Sequence, residues 1–160
     1  MTNLSQDKPQ ISPWTEPPPM DTGAPSPAVY SNGHDLLCGY FANSAVEGHL
    51  SVALLKFEGV LLHRFGYPND EVLEGHPLYS FGLEHYGFFL VRNSPLISEI
   101  ETQNQCHSRH RRGIYNKFGH WIATFHDETL EVLALRALVS WVPDVSSPEQ
   151  AVCLRPGTIG

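Results

Sequence analysis

The apolar residues of this chain come in short runs broken by turn-forming residues, and one place carries a clear helix-start signature. The runs are Leu36–Ala42 (LLCGYFA), Leu50–Phe65, Tyr86–Asn93 (YGFFLVRN) and Phe118–Leu135, each suited by length and residue type to one strand or a pair. Within Leu50–Phe65, Glu58-Gly59 is a turn signal. A two-residue loop there sets Phe57 opposite Val60, Leu55 opposite Leu62 and Leu54 opposite His63. Both faces of such a hairpin are largely apolar, which predicts a central position covered on both sides. Phe118–Leu135 folds back on itself about Asp127-Glu128. Trp121, Ala123 and Phe125 then share an apolar face with Leu130, Val132 and Ala134, while the other face sets His126 against Thr129 and Thr124 against Glu131. A helix over Thr129–Val142 competes with the second strand, because Leu130, Leu133, Ala134, Ala137, Leu138 and Trp141 also fit a 3.6-residue period. Ser94-Pro95, a cap residue followed by proline, starts a helix expected to run to about Gln105. These elements predict an α+β fold: a mainly antiparallel sheet of five to six strands, curled or barrel-like, with one packed helix.

The chain has 160 residues, enough for one domain with its own core. Seven of its 13 prolines (Pro9, Pro13, Pro17, Pro18, Pro19, Pro25 and Pro27) precede residue 34. Proline removes backbone donors, and the segment has little apolar surface to bury. Residues 1–33 therefore read as a disordered arm with Trp14 as its one candidate anchor, 34–142 as a single globular domain and 143–160 as an irregular tail. The net charge of −7 repels polyanions, so nucleic acid is not an expected partner. No apolar run approaches the roughly 20 residues of a membrane-spanning helix. Cys38, Cys106 and Cys153 are too few and too widely spaced for a disulfide framework, and no basic-then-apolar leader is visible. A soluble cytoplasmic protein is the expectation.

Seven of the nine histidines lie between His63 and His126, among acidic and hydroxyl side chains. Imidazole changes charge near neutral pH and is the commonest metal ligand, so this stretch is where chemistry is expected. The leading group is His120 and His126 with Asp127, Thr129 and Glu131, because strand alternation aims His120, Thr124 and His126 to one side and the facing strand adds Glu131 and Thr129. A histidine held by a carboxylate is the usual form of a general base. His63 and His76 are further candidates for catalysis, flanking Asn69, Asp70 and Glu71. His76 precedes Pro77, which biases it to extended backbone. Asn69, Asp70, Glu71, Thr129 and Arg109 are candidates for substrate binding, Arg109 belonging to the one basic cluster, with Arg111, Arg112 and Lys117. Cys106, His107 and His110 offer soft ligands, but no second ligand pair accompanies them as a structural zinc site requires. No cofactor is expected; a divalent metal, if used, is expected on histidines.

The chain has no Walker loop, no GxGxxG, no GxSxG and no HExxH. The stretches PNDEVLEGHPLY, YGFFLVRNSPLI and FHDETLEVLA together resemble small bacterial proteins of unassigned function. That resemblance spans about Gly59 to Ala134 and implies no activity. Two classes of function remain. One is a small acid–base enzyme, lyase- or hydrolase-like, acting on a small polar metabolite. The other is a non-catalytic accessory or immunity-type interaction domain. Convergence of the histidines in space separates them.

Overall fold

The computed structural model describes residues 7–44 and 50–153. The chain is α+β, with strands β1 (Gln10–Pro13), β2 (Ala28–Ser31), β3 (Leu36–Asn43), β4 (Leu50–Glu58), β5 (Leu62–Gly66), β6 (Phe88–Arg92), β7 (Gly119–Thr124), β8 (Thr129–Ala134) and β9 (Arg136–Val142). Helix α1 (Pro95–Asn104) follows β6, α2 (Pro148–Cys153) follows β9, and two short 3-10 turns, Asp70–Gly75 and Tyr79–Phe81, lie between β5 and β6. The strands form two open antiparallel sheets, one ordered β1-β6-β7-β8-β5 and the other β2-β3-β4-β9. No helix among the described residues is long and apolar enough to cross a membrane.

The sheets face each other across one core. Leu36, Cys38, Tyr40, Leu55 and Phe57 come from the four-stranded sheet, and Phe88, Ala123, Leu130, Val132 and Ala134 from the five-stranded one. Tyr40 sits between Phe88 and Phe125, with ring centroids 5.2 and 5.8 Å away. Each such buried side chain contributes roughly 2 kcal/mol of apolar transfer. The β7–β8 faces expected from period-2 alternation are the ones observed, and the helical alternative for 129–142 is not formed: Leu135 interrupts the run between β8 and β9.

The expected hairpin about Glu58-Gly59 does not form. β4 lies in the four-stranded sheet beside β9, whereas β5 lies at the edge of the other sheet beside β8. The turn signal marks a corner. The ribbon β4–β5 and the ribbon β8–β9 run together and pass from one sheet to the other at the same place. There the Leu135 N–H donates to the carbonyls of Glu58 at 3.0 Å and Gly59 at 3.2 Å, and the Leu61 N–H to the Leu133 carbonyl at 2.8 Å. Gly59 has φ +64°, and a Cβ on it would stand 2.6 Å from Leu135 Cδ1, so both backbone sign and space require glycine. β5 is consequently an exposed edge and not the covered centre of a hairpin.

The proline-rich segment is packed, contrary to the expectation of a disordered arm. β1 pairs with β6, from Gln10 opposite Arg92 to Pro13 opposite Phe89, and β2 pairs with β3. Trp14 is buried against Phe57, Phe88 and Trp121, with centroids 6.1 to 6.3 Å apart. Proline lacks an N–H but keeps its carbonyl, and these carbonyls are used: Pro18 accepts from the Tyr40 hydroxyl at 2.7 Å, Pro25 from Phe41 N–H at 2.8 Å and Pro19 from Asn43 N–H at 2.9 Å. The expected irregular tail likewise contains α2, which buries Pro148, Ala151 and Val152 on the outer side of β3. Gly39 permits that approach, since a Cβ there would stand 2.8 Å from the Pro148 carbonyl. The first six residues of the expected arm and the last seven of the expected tail lie outside the described residues.

Truncation tests this packing. Trp14→Ala is expected to cost about 3–5 kcal/mol in urea denaturation, the range for deleting a buried large aromatic. Deleting residues 1–31 is expected to lower the thermal midpoint by more than about 5 °C. An unchanged midpoint in both variants would restore the view of the segment as a loose arm.

Candidate active site

The outer face of the five-stranded sheet carries the site. Register places His120 opposite Leu133, Ile122 opposite Glu131 and Thr124 opposite Thr129. The sequence spacing sets Thr124 opposite Glu131, so the hairpin has slipped by two residues, and loop 125–128 closes through a Phe125 N–H to Glu128 carbonyl bond of 2.9 Å. An even slip preserves faces. His120, Thr124, Thr129 and Glu131 therefore still share one side, whereas His126 leaves the strand for the loop. That side is not solvated as a hairpin end would be. His120, Thr124, Thr129 and Glu131 are all buried, because the 3-10 turns and α1 cover them. Leu73, Leu78 and Leu83 from the covering layer pack on Phe89, Val91 and Ile122 to form a second apolar cluster.

Glu131 is the centre of the buried polar group. One of its oxygens accepts a short hydrogen bond from His76 Nε2, and the other accepts from His120 Nε2 at 3.1 Å. Both rings are fixed from behind. Nδ1 of His76 accepts the Leu78 N–H at 3.1 Å, so the proton of the neutral ring sits on Nε2 and points at Glu131. His76 holds extended backbone, φ −67° and ψ 135°, as its place before Pro77 predicts. Nδ1 of His120 lies 2.8 Å from Ser94 Oγ. Ser94 caps α1 by accepting from the Ile97 N–H at 3.2 Å. A cavity of about 200 Å³ opens on Glu131, His76 and His120, and Arg64 and Glu99 also line it. Arg64 belongs there because β5 pairs it with Glu131 across the sheet edge.

Burial alone would raise the pKa of Glu131. The hydrogen bonds from His120 and His76, with the attraction of the same two rings, more than offset burial and hold the carboxyl at about 2, down from 4.5. The other sequence candidates divide. His126 forms a second, half-exposed group with Asp127, Asp70 and Tyr86. Its Nδ1 is 2.9 Å from Asp127 and its Nε2 is 3.7 Å from Asp70, which also accepts a short bond from the Tyr86 hydroxyl. The bond to Asp127 chiefly raises the pKa of His126; the Tyr86 bond lowers that of Asp70 and raises that of Tyr86. Thr129 donates to the Pro68 carbonyl at 2.8 Å, a bond that ties the covering loop to the sheet. The Asn69 side-chain oxygen is buried without a partner, and Glu71 is exposed in the first 3-10 turn.

His63 does not join the site. It pairs with Val132, one residue out of phase with Arg64 and Glu131, and is exposed on the uncovered edge strand. Arg109 is exposed in the connection after α1, away from the cavity lining. Cys106, His107 and His110 do not converge on one point. The Cys106 thiol donates to the Gln103 carbonyl, His107 accepts from Arg109 N–H, and His110 bonds Asn104. No group of three or more His, Cys, Asp and Glu among the described residues is arranged to hold a metal ion. Sequence spacing marks Ser94 only as a helix cap and does not single out Arg64 or Glu99 at all. Pairing of β5 with β8 would have found Arg64, but no local signal announces that pairing. Comparison with protein-family models, curated proteins and solved structures finds no match to this chain.

Glu131 gives the fold a pH signature. Its folded-state pKa is depressed, so its contribution is present above about pH 4.5 and is lost as pH falls toward about 2. The magnitude is on the order of 3 kcal/mol. Urea denaturation between about pH 6 and 3 is expected to show a steep loss of stability, with Glu131→Gln flattening the slope. An unaltered slope in that variant would mean that other carboxyls carry the acid transition.

Proposed function

We propose that this chain is a small acid–base enzyme acting on a small polar metabolite by a lyase- or hydrolase-like reaction, with Glu131, His120 and His76 as its centre. The observation that carries this reading is a nearly buried carboxylate, bonded by two imidazoles, in the wall of a cavity. A buried ion costs several kcal/mol unless it is fully bonded, and apolar residues would pack beside Ile122 and Leu78 at no such cost. A carboxylate that orients histidine and stabilises its protonated form is the arrangement general-base catalysis needs. The cavity of about 200 Å³ suits a ligand of few heavy atoms. Arg64 in its lining offers a fork for a carboxylate or phosphate on the substrate, and Glu99 adds a second carboxyl. Proton transfer of this kind runs on side chains and calls for no cofactor; a divalent metal would compete with the existing hydrogen bonds for both histidines. Three free cysteines fit a reducing, cytoplasmic setting, and the charge of −7 disfavours nucleic acid.

A second reading has its own support. Edge strand β9 exposes Leu138 and Trp141, 41% and 51% accessible, as an accessory or immunity-type interaction domain would. Turnover on a panel of small esters, amides, lactones and hydroxy acids decides between them. His120→Asn and Glu131→Gln are expected to reduce it by about 10²- to 10⁴-fold. His126→Ala, half-exposed in its loop, is expected to leave turnover and stability nearly unchanged, within about 0.5 kcal/mol. Turnover insensitive to Glu131→Gln would remove the enzyme reading of this centre.

A further inference from the structure

We propose that Ser94 is the nucleophile of this centre and that its substrates are carboxylic esters or similarly activated acyl compounds; the inference rests on the acid–base reading above and names its reaction. Three features carry it. The first is the direction of the hydrogen bonds. Ser94 Oγ already accepts from the Ile97 N–H at 3.2 Å, which leaves its own hydrogen for His120 Nδ1 at 2.8 Å. The opposite nitrogen of His120 donates to Glu131 at 3.1 Å, and His76 anchors the far oxygen of that carboxylate. Hydroxyl, imidazole and carboxylate thus stand in the order that activates a serine, with the ring used through Nδ1. A helix cap needs only the accepting half of this arrangement.

The second feature is the turn. β6 ends at Arg92, Asn93 takes a left-handed φ of +52°, and α1 begins at Pro95, so Ser94 sits on a sharp strand-to-helix reversal. The N-terminal end of α1 and the Ile97 N–H favour negative charge on Oγ and on the oxyanion formed beside it. The third feature is access. Ser94 and His120 line a groove of about 1030 Å³ between α1, β6 and the segment before β1, with Lys8, Arg92 and Asn116. His120, Pro95 and Glu99 also line the smaller cavity that holds Glu131, so the imidazole stands in the wall between the two spaces.

The chemistry balances without a further reagent. Oγ forms a bond to the acyl carbon, the carbonyl electron pair moves to oxygen, and the hydroxyl proton passes to His120 Nδ1. The carbonyl reforms, the bond to the leaving alkoxide breaks, and His120 returns the proton to that oxygen. Water then repeats the sequence on the Ser94 ester, giving the carboxylic acid and free serine.

A fluorophosphonate probe reads this directly, because attack by Oγ on phosphorus expels fluoride and leaves an adduct that peptide mapping locates. Stoichiometric labelling at Ser94 of the folded protein is expected, with no labelling after heat denaturation. His120→Asn is expected to slow labelling at least about 10²-fold. Ser94→Asn keeps a side-chain acceptor for the Ile97 N–H, so it is expected to fold and to lose both adduct and turnover. No adduct at Ser94, or labelling indifferent to His120→Asn, overturns the proposal. Turnover that requires Glu131 but survives Ser94→Asn overturns the nucleophile alone and leaves the acid–base reading standing.

Discussion

One shared backbone donor organises the molecule. The Leu135 N–H reaches the carbonyls of both Glu58 and Gly59, and it does so where two paired ribbons leave one sheet and enter the other. Without that corner, β4–β5 and β8–β9 would continue as one long antiparallel ladder with a single inner face. With it, the ladder bends into two sheets that close on each other, and Tyr40, Phe57, Phe88 and Phe125 fill the space between them. The left-handed φ of Gly59 and the Leu135 side chain against its α-carbon leave no room for another residue.

The bend also decides what lies outside. Turning the inner face of the five-stranded sheet toward its partner leaves Ile122, Glu131 and His120 on the far side, where the 70–83 segment and α1 cover them. A charge placed there must find its partners within the layer. Glu131 does so with two histidines, one from the sheet and one from the covering segment, so the same hydrogen bonds that satisfy the carboxylate also fasten the layer to the sheet. The Asp70–His126–Asp127 group has similar residue types but a different energetic position. It sits at the loop end, its imidazole about half exposed, where water and salt screen each pair. Composition alone makes the two clusters look alike; burial separates them.

The N-terminal prolines show the same gap between composition and structure. A segment poor in donors and apolar residues resembles a disordered one, yet sheet edges and tyrosine hydroxyls need acceptors, and proline carbonyls supply them. Two buried side chains, Trp14 and Met20, then carry most of the apolar share of the packing.

Local rules were enough for several features. Period-2 alternation in 119–134 assigned Trp121, Ala123, Leu130 and Val132 to the core and His120, Thr124, Thr129 and Glu131 to the opposite face, and this survived a register slip because the slip was even. Ser94-Pro95 marked the start of α1, and Pro77 held His76 extended. Only the tertiary structure decided which of these residues meet. Alternation specifies a face but not a neighbour, so nothing near His76 announces a carboxylate 55 residues away, and nothing near Ser94 announces an imidazole 26 residues on. His63 and Arg64 are adjacent in sequence, yet pairing of β5 with β8 aligns Arg64 with Glu131 and leaves His63 on an exposed edge. The physical reason is that strand partners are chosen by the closing of the whole core, which sums contacts over both sheets. A run of five residues encodes its own two faces and no more.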